Sequence, residues 1–542
     1  FRWPIFKCLW LVRAPRILQP MGKSLPPGDP NGEADEWFQI GNTYDDEGRY
    51  DDAAEAFRKS IEALRKTNCA PAATAAAWLN MGFALNSSGR KQEAEAAWET
   101  ALLASDCDDF VRSNLVLLSQ SVADLDPAAV AALADVLHEL GAFDPELPRK
   151  LGCQTLVTGS ELHRLRKTGL SRPTDLTAAQ DLFARLFFIG VGVERDEVDA
   201  VWSPSVVHHL RRCKLLADVL NSRFCIGTLQ FFSFSGLLIM TDWPSETLGS
   251  IDPVMSIGTD SMELCLSLGD GKGGGSCVVG ASVLDLCTGS GVVALHAVCC
   301  GAKQVVASDV NPRACMLTRA NATLNGLEVT TCQGDLFAAI PDGWQSREFD
   351  LIVANPPFVA APVGRSRSPT LFVDGGPDGL SVTRRILQEA PAYLHSGGCC
   401  IVEAEFPNID SAIGTDHAGL RPEWLEELGD FTYSIIYAKN HVQTASSYVN
   451  DRAQSMQQAA DWHRLLLDHG IRSITSGLLV ARCSNRKLEA AGPDVGIALQ
   501  RILWEACDAD ESWIEEGQQC AGFCLVRSAL ECALKRSFIA TG

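Results

Sequence analysis

The chain has 542 residues, a formal net charge of −21 and 46% hydrophobic residues, enough for about three domains with real cores. Charge of that sign and size excludes a broad electrostatic face for nucleic acid and leaves room only for a local basic groove. The 20 cysteines form no C-x-x-C pair and no zinc-type Cys/His spacing, so no metal site is expected and the thiols read as free and buried in a reducing compartment.

Residues 1–20 are apolar and basic without acids, as a targeting remnant is, but they lack the uninterrupted apolar run of a signal peptide. The first residue is Phe1, and Met21 is a candidate start. Met21-Gly22 raises myristoylation, which Pro26 excludes because that motif takes Ser or Thr there. The segment 1–34 is expected to be disordered or a targeting stretch. The compartment is the cytoplasm, or a mitochondrion or plastid under the targeting reading.

From Asp35 a repeat begins. Trp37-x-x-Ile40-Gly41-x-x-Tyr44 leads into Gly48-x-Tyr50-x-x-Ala53-x-x-x-Phe57, and the pattern returns as Trp78-x-x-Met81-Gly82-x-x-Leu85, Gly89, Ala94, Trp98 and Ala101. Large and small residues at these intervals let two helices interdigitate, and the pattern closely resembles the tetratricopeptide repeat. The offset from Gly41 to Gly82 is 41 residues, longer than the usual period of about 34, so 68–73 is expected to hold an extra turn. Residues 105–140 continue helical and supply a degenerate third unit capping a repeat domain over 35–143. Such a domain binds a peptide or partner helix in its concave face, or packs as a structural cap; the two readings weigh equally.

After a polar connector over 144–172, apolar spacing predicts a helix over 176–190, with Leu182, Phe183, Leu186 and Phe187 inward, and further helices over 198–202 and 206–220. The longest stretch without charge, 224–241, is interrupted by Thr228, Gln230, Ser233 and Ser235 and is shorter than the roughly 20 apolar residues of a membrane span. It reads as a β-hairpin with Gly236 near the turn. No membrane association is expected. His208 and His209 have no ligand-spaced partner and read as surface or packing residues. This makes 173–250 a small α+β domain.

Over 251–484 strands and helices alternate. Strands are expected at 282–287, 304–309, 328–332, 349–354, 399–403, 432–437 and 474–482, with helices at 312–324, 379–394 and 451–468, which implies a parallel sheet covered on both faces. The first strand runs into Thr288-Gly289-Ser290-Gly291, with Ala294 in the third small position of a G-x-G-x-x-G/A loop. Asp285 at its tip repels a pyrophosphate and attracts an amino group. Asp309 ends the second strand, where a carboxylate accepts from ribose hydroxyls. Asp335, after the third, is placed to accept from an adenine amine. Each acid read alone is as often a helix cap.

The fourth strand ends in Asn355-Pro356-Pro357-Phe358. The prolines fix their own φ and force extended geometry on the residues before them. What faces outward is mostly acceptor, the Asn355 side-chain oxygen and the Pro356 carbonyl, beside the Phe358 ring. Two acceptors and a flat ring suit a planar NH2 group. Gly269 to Ser276 reads as a flexible loop. Ala360 to Pro369 reads as a mobile segment whose Arg365 and Arg367 are solvated by default, and 485–542 as a partly helical tail.

Together, Asp285 to Gly291, Asp309-Val310-Asn311-Pro312, Asn321 with Asn325-Gly326, Gly334 to Phe337, Asn355 to Phe358, and Asp374 to Leu380 with Arg384 make the stretch from about Val254 to Cys483 resemble the class I S-adenosylmethionine-dependent methyltransferases. The nearest group is the small-domain N-methyltransferases, above all the HemK-type protein-glutamine N5-methyltransferases. The resemblance implies a Rossmann-like α/β fold with a seven-stranded, mostly parallel sheet whose last strand is antiparallel. It also implies cofactor contacts from Asp285, Thr288, Gly289, Gly291, Asp309, Val310, Asp335, Leu336 and Asn355, and catalysis at Asn355, Pro356, Pro357 and Phe358. Cys287 stands where the family usually has Gly, and Phe358 where the glutamine enzymes usually have Tyr. Three readings stay open: methylation of a protein glutamine, methylation of an RNA or DNA base, and a non-catalytic repeat scaffold. In the first two, catalysis is positioning, with no metal, no covalent intermediate and no nominated general base.

Overall fold

The computed structural model describes residues 32–101 (less 47, 67–70 and several positions between 89 and 99), 127–150 (less 145 and 146), 176–218, 223–243, 254–269, 278–341, 349–360, 374–408, 431–437 and 442–483 (less 454 and 455). Residues 1–31, nearly all of the Gly269–Ser276 and Ala360–Pro369 loops, Arg365 and Arg367 with them, and the tail lie outside the described residues.

Helices α1 (Glu33–Asp46), α2 (Tyr50–Lys66) and α3 (Pro71–Ser87) pack around Phe38, Phe57, Ile61, Leu64 and Ala77. A β-carbon on Gly41 would lie 2.6 Å from the Phe57 ring. The small residue of the repeat is there because the ring lies on the helix. Helix α4 (Pro127–Glu139) is the described part of the expected third unit. Its Leu133 and Leu137 share a core with Leu317 and Leu324.

In the small domain the helix expected over 176–190 is α-helical over Ala178–Phe183 and widens to a π-helix over Ala184–Ile189, closed by Gly190 at φ 72. Helices occupy Arg195–Val201 and Pro204–Arg212. The second stops eight residues before the expected end, because Lys214 at φ 57 turns the chain into strand β2 (Leu216–Asp218). β2 and the short β1 (Val193–Glu194) flank β3 (Phe224–Gly227). The hairpin is therefore shorter than expected, β4 (Gln230–Phe234) with β5 (Leu237–Thr241), turning at Ser235 (φ 50) and Gly236 (φ 81) as right-twisted hairpins require.

The core sheet contains β6 (Ser282–Leu286), β7 (Gln304–Asp309), β8 (Thr330–Gln333), β9 (Phe349–Ala354), β10 (Leu394–Pro407), β11 (Phe431–Tyr437), β12 (Gln443–Thr444) and β13 (Ser473–Cys483). Its order is β11-β13-β10-β9-β6-β7-β8, with β12 on β13. β6 to β10 pair in parallel, and β13 runs antiparallel to β10 and β11. This is the class I methyltransferase fold, its seven strands joined by β12 as an eighth. The expected helix over 451–468 is two, α5 (Ala445–Arg452) and α6 (Met456–Asp468).

Because successive parallel strands lie on both sides of β6, the chain reverses its direction of travel there, and the ends of β6 and β9 open a crevice. Register keeps the mouth level: Leu286 faces both Ser308 and Ala354, and Ala354 faces Val402.

Candidate active site

The glycine loop joins β6 to the helix Val292–Cys299. Gly289 (φ 57) and Gly291 (φ 82) sit in the left-handed region. A β-carbon on Gly291 would also come 2.8 Å from Thr318, so at that position glycine serves both backbone and packing. Cys287 takes φ 57 as well, the reason a glycine is usual there.

Two carboxylates, Asp285 and Asp309, line the cleft, and a third, Asp335, stands apart from it. Asp285 is 1% exposed, and its Oδ2 accepts from Thr288 Oγ1 at 2.6 Å and from the Ala294 N–H at 3.1 Å. Burial pushes its carboxyl up to about 7, Asp309 adds to this, and the two donors oppose it. Asp309 accepts from the Gly289 N–H at 2.9 Å through one oxygen and from the Asn311 N–H at 2.9 Å through the other, tying the loop to the tip of β7; burial raises its pKa too. Asp335 behaves differently. It pairs with Arg385 at 2.8 Å, the side chains 58% and 48% exposed.

A cleft of ≈ 820 Å³, partly open to solvent, brings these parts together. Asp285, Thr288, Gly289, Asp309 and Val310 line one side, and Asn355, Pro356, Pro357 and Phe358 the other. Gly291 is not among the lining residues. Asp335 and buried Leu336 are not in the lining. Position in sequence does not distinguish this acid from Asp309; its partner Arg385, fifty residues on, does.

The chain beyond the fourth strand is held from two sides. The Ala360 N–H donates to the Tyr448 hydroxyl at 3.2 Å, and Trp462 Nε1 donates to the Ala360 carbonyl at 2.8 Å. From the other side the Gly375 N–H donates to the Val359 carbonyl, and a β-carbon on Gly379 would lie 2.4 Å from the Phe358 carbonyl oxygen. The glycines of Asp374 to Leu380 thus let that loop run directly against the Phe358 backbone.

Sequence reasoning missed the helix Thr259–Leu268, which supplies Asp260 and Ser261 behind Asn355. The signal was present: Gly258 before an acid in the first turn, then Met262, Leu264, Cys265 and Leu268 at helical spacing. It also missed a wall of acids there. Glu263 is pushed up to about 7, by burial and then by Asp260. Glu403, 1% exposed with no partner for Oε2 among the described residues, is raised by burial and by Glu263, Asp260 and Glu405. Asn321 was singled out without a role. It is 0% exposed, accepts from the Met240 N–H and donates to the Met240 and Ser290 carbonyls, each at 2.8 Å, so one amide joins hairpin, helix and glycine loop.

Residues 277–415 match the Methyltransferase small domain family and residues 34–66 the Tetratricopeptide repeat family. A ribosomal protein uL3 glutamine methyltransferase of Burkholderia pseudomallei is 35% identical over 172 residues, covering 29% of this chain and 55% of that protein. A release factor glutamine methyltransferase of Geobacter sulfurreducens is 37% identical over 148 residues, covering 25% and 49%. A further uL3 glutamine methyltransferase, of Bradyrhizobium diazoefficiens, is 42% identical over 130 residues, covering 22% and 40%. The chain thus spans about half the length of these curated relatives. Among the described residues no helix is long and apolar enough to cross a membrane, and no group of three or more His, Cys, Asp or Glu is placed to hold a metal ion.

Proposed function

We propose that the chain is an S-adenosylmethionine-dependent methyltransferase of protein glutamine side chains. The observation that carries this is the shared cleft: the Asn355 to Phe358 turn faces the glycine loop, Asp285 and Asp309 across one space. The donor set fits the cofactor. Asp285 is a buried carboxylate that, among the described residues, meets a hydroxyl and an N–H but no cation, so it suits an ammonium group; Asp309 suits ribose hydroxyls; and Val310, 49% exposed at the rim, offers an apolar face to a base. When bound, S-adenosylmethionine supplies an electrophilic methyl group.

The chain's own residues do the rest by positioning. An amide nitrogen is a poor nucleophile because its lone pair is delocalised. Acceptors at Asn355 Oδ1 and the Pro356 carbonyl take both of its protons, enrich the nitrogen and fix its direction, while the Phe358 ring lies along its plane. A glutamine of a translation protein is the substrate suggested by what the relatives are named for. The repeats at 33–101 provide a second surface for that protein partner. Such a substrate places the chain with ribosomes, first in the cytoplasm, with a mitochondrion or plastid the alternative.

The test offers tritiated S-adenosylmethionine to the purified chain with release factor, ribosomal protein uL3 or ribosomal RNA. Label is expected in a protein, at a glutamine whose replacement abolishes it, and Asn355→Ala is expected to cut transfer about 10²- to 10³-fold, to a measurable residual rate, with cofactor affinity nearly unchanged. Label in RNA alone favours the base-methylation reading and overturns this one. Absence of label everywhere favours a scaffold.

A further inference from the structure

Asn355 can serve as described only if its amide presents oxygen, not NH2, to the cleft. The two ends of an amide have the same shape, so rotation by 180° about Cβ–Cγ would replace an acceptor by two donors. Something must break that symmetry. Asn355 Nδ2 lies 3.1 Å from Asp260 Oδ2 and 3.2 Å from Ser261 Oγ. A carboxylate only accepts, and a hydroxyl can accept, so both amide protons have a partner on the helix side and Oδ1 is left for the cleft.

Asp260 is itself placed by its surroundings. A β-carbon on Gly258 would lie 2.3 Å from Asp260 Oδ1, so the side chain folds back over a residue that has no side chain of its own. The helix beneath is fixed by Met262, Leu264 and Leu268 in the core of the first strand. Ser261 is 6% exposed and lines the cleft beside Asn355.

We propose that Asp260 and Ser261 are positioning residues for the methyl-transfer site, an acceptor pair that takes both protons of the Asn355 amide and so aims its oxygen at the substrate nitrogen. This rests on the methyltransferase reading above, and it assigns the orientation of Asn355 to residues outside the Asn-Pro-Pro-Phe turn.

The test measures kcat for tritium transfer into whichever of release factor or uL3 takes label, together with S-adenosylhomocysteine affinity by calorimetry. Asp260→Ala with Ser261→Ala should lower kcat about 10- to 100-fold, as loss of an oriented hydrogen bond at a reacting atom does, with affinity for S-adenosylhomocysteine within about twofold by the same argument. Asp260→Asn, which keeps an oxygen in the same place, should recover most of the rate. Gly258→Ala keeps both acceptors and adds a methyl group that meets only the far end of Asp260, so it should lower kcat without loss of fold. In a double-mutant cycle, the pair added to Asn355→Ala should cost nothing further, whereas a merely structural role gives additive losses. Wild-type kcat in both Asp260→Ala/Ser261→Ala and Gly258→Ala, or additivity with Asn355→Ala, overturns the proposal. Full turnover in Asn355→Ala alone overturns the methyltransferase assignment of that turn instead. Should the double variant lose S-adenosylhomocysteine binding, Gly258→Ala and Asp260→Asn decide the matter.

Discussion

Arg452 and Glu405 form an ion pair of 2.8 Å whose side chains are 1% and 2% exposed. The Tyr448 hydroxyl donates to the other Glu405 oxygen at 2.6 Å, and the same hydroxyl receives the Ala360 N–H two residues beyond Phe358. A pair this deep is costly to break because the surviving charge stays buried. Arg452→Met is therefore expected to destabilise the 443–468 segment by about 3–5 kcal/mol, and Tyr448→Phe by about 1–2 kcal/mol through the loss of two hydrogen bonds. Hydrogen exchange of that segment reads the effect locally. Equal protection in wild type and Arg452→Met would show that the network contributes nothing.

The left-handed backbone at Cys287 gives a second expectation. A residue with a side chain at φ 57 carries a strain of about 1–2 kcal/mol, and glycine relieves it at an entropic cost of about 0.5–1 kcal/mol. Cys287→Gly should therefore stabilise by about 0.5–1 kcal/mol, or roughly 1–4 °C in Tm for a domain of this size. Cys287→Val, whose branched side chain tolerates this region worst, should lower Tm by more than that. Differential scanning of the three proteins checks the order.

Much of the fold was legible because it rests on local rules. Leu351 to Ala354 is a continuous apolar run, and it is a strand buried on both faces; Asp309 ends a strand at the interval where such acids hold ribose, and it sits in the cleft. Asp335 obeys the same local rule and lies outside the lining, paired at the surface with Arg385 in a contact that no periodicity encodes. The helix expected over 206–220 failed at one residue, Lys214, whose φ of 57 ends a run that is otherwise amphipathic. Asp260 and Ser261 were illegible for another reason. Their role exists only once a helix 94 or more residues upstream in sequence is laid against Asn355, and nothing in Gly258-Thr259-Asp260-Ser261 announces that neighbour.

Asp285 yields opposite pH slopes for the unliganded fold and for cofactor binding. Its carboxyl, pushed up to about 7 by burial, holds a proton in the folded state that the unfolded chain has shed from roughly pH 4 upward. The folded, unliganded protein thus binds more protons than the unfolded chain across that window, and its stability falls as pH rises through it. Asp260, Glu263, Asp309 and Glu403, all raised chiefly by burial, act in the same direction. Binding of an ammonium group needs the ionised form, so affinity runs the other way. S-adenosylhomocysteine, which carries the same amino-acid end as the cofactor, should bind about tenfold more weakly for each pH unit below 7 and level off above 8. In Asp285→Asn this slope should vanish while affinity stays weak at every pH. Calorimetric titrations between pH 5.5 and 8.5, beside Tm values of the unliganded protein over the same range, check both signs. A flat affinity profile in the wild-type chain would show that Asp285 does not receive the ammonium group.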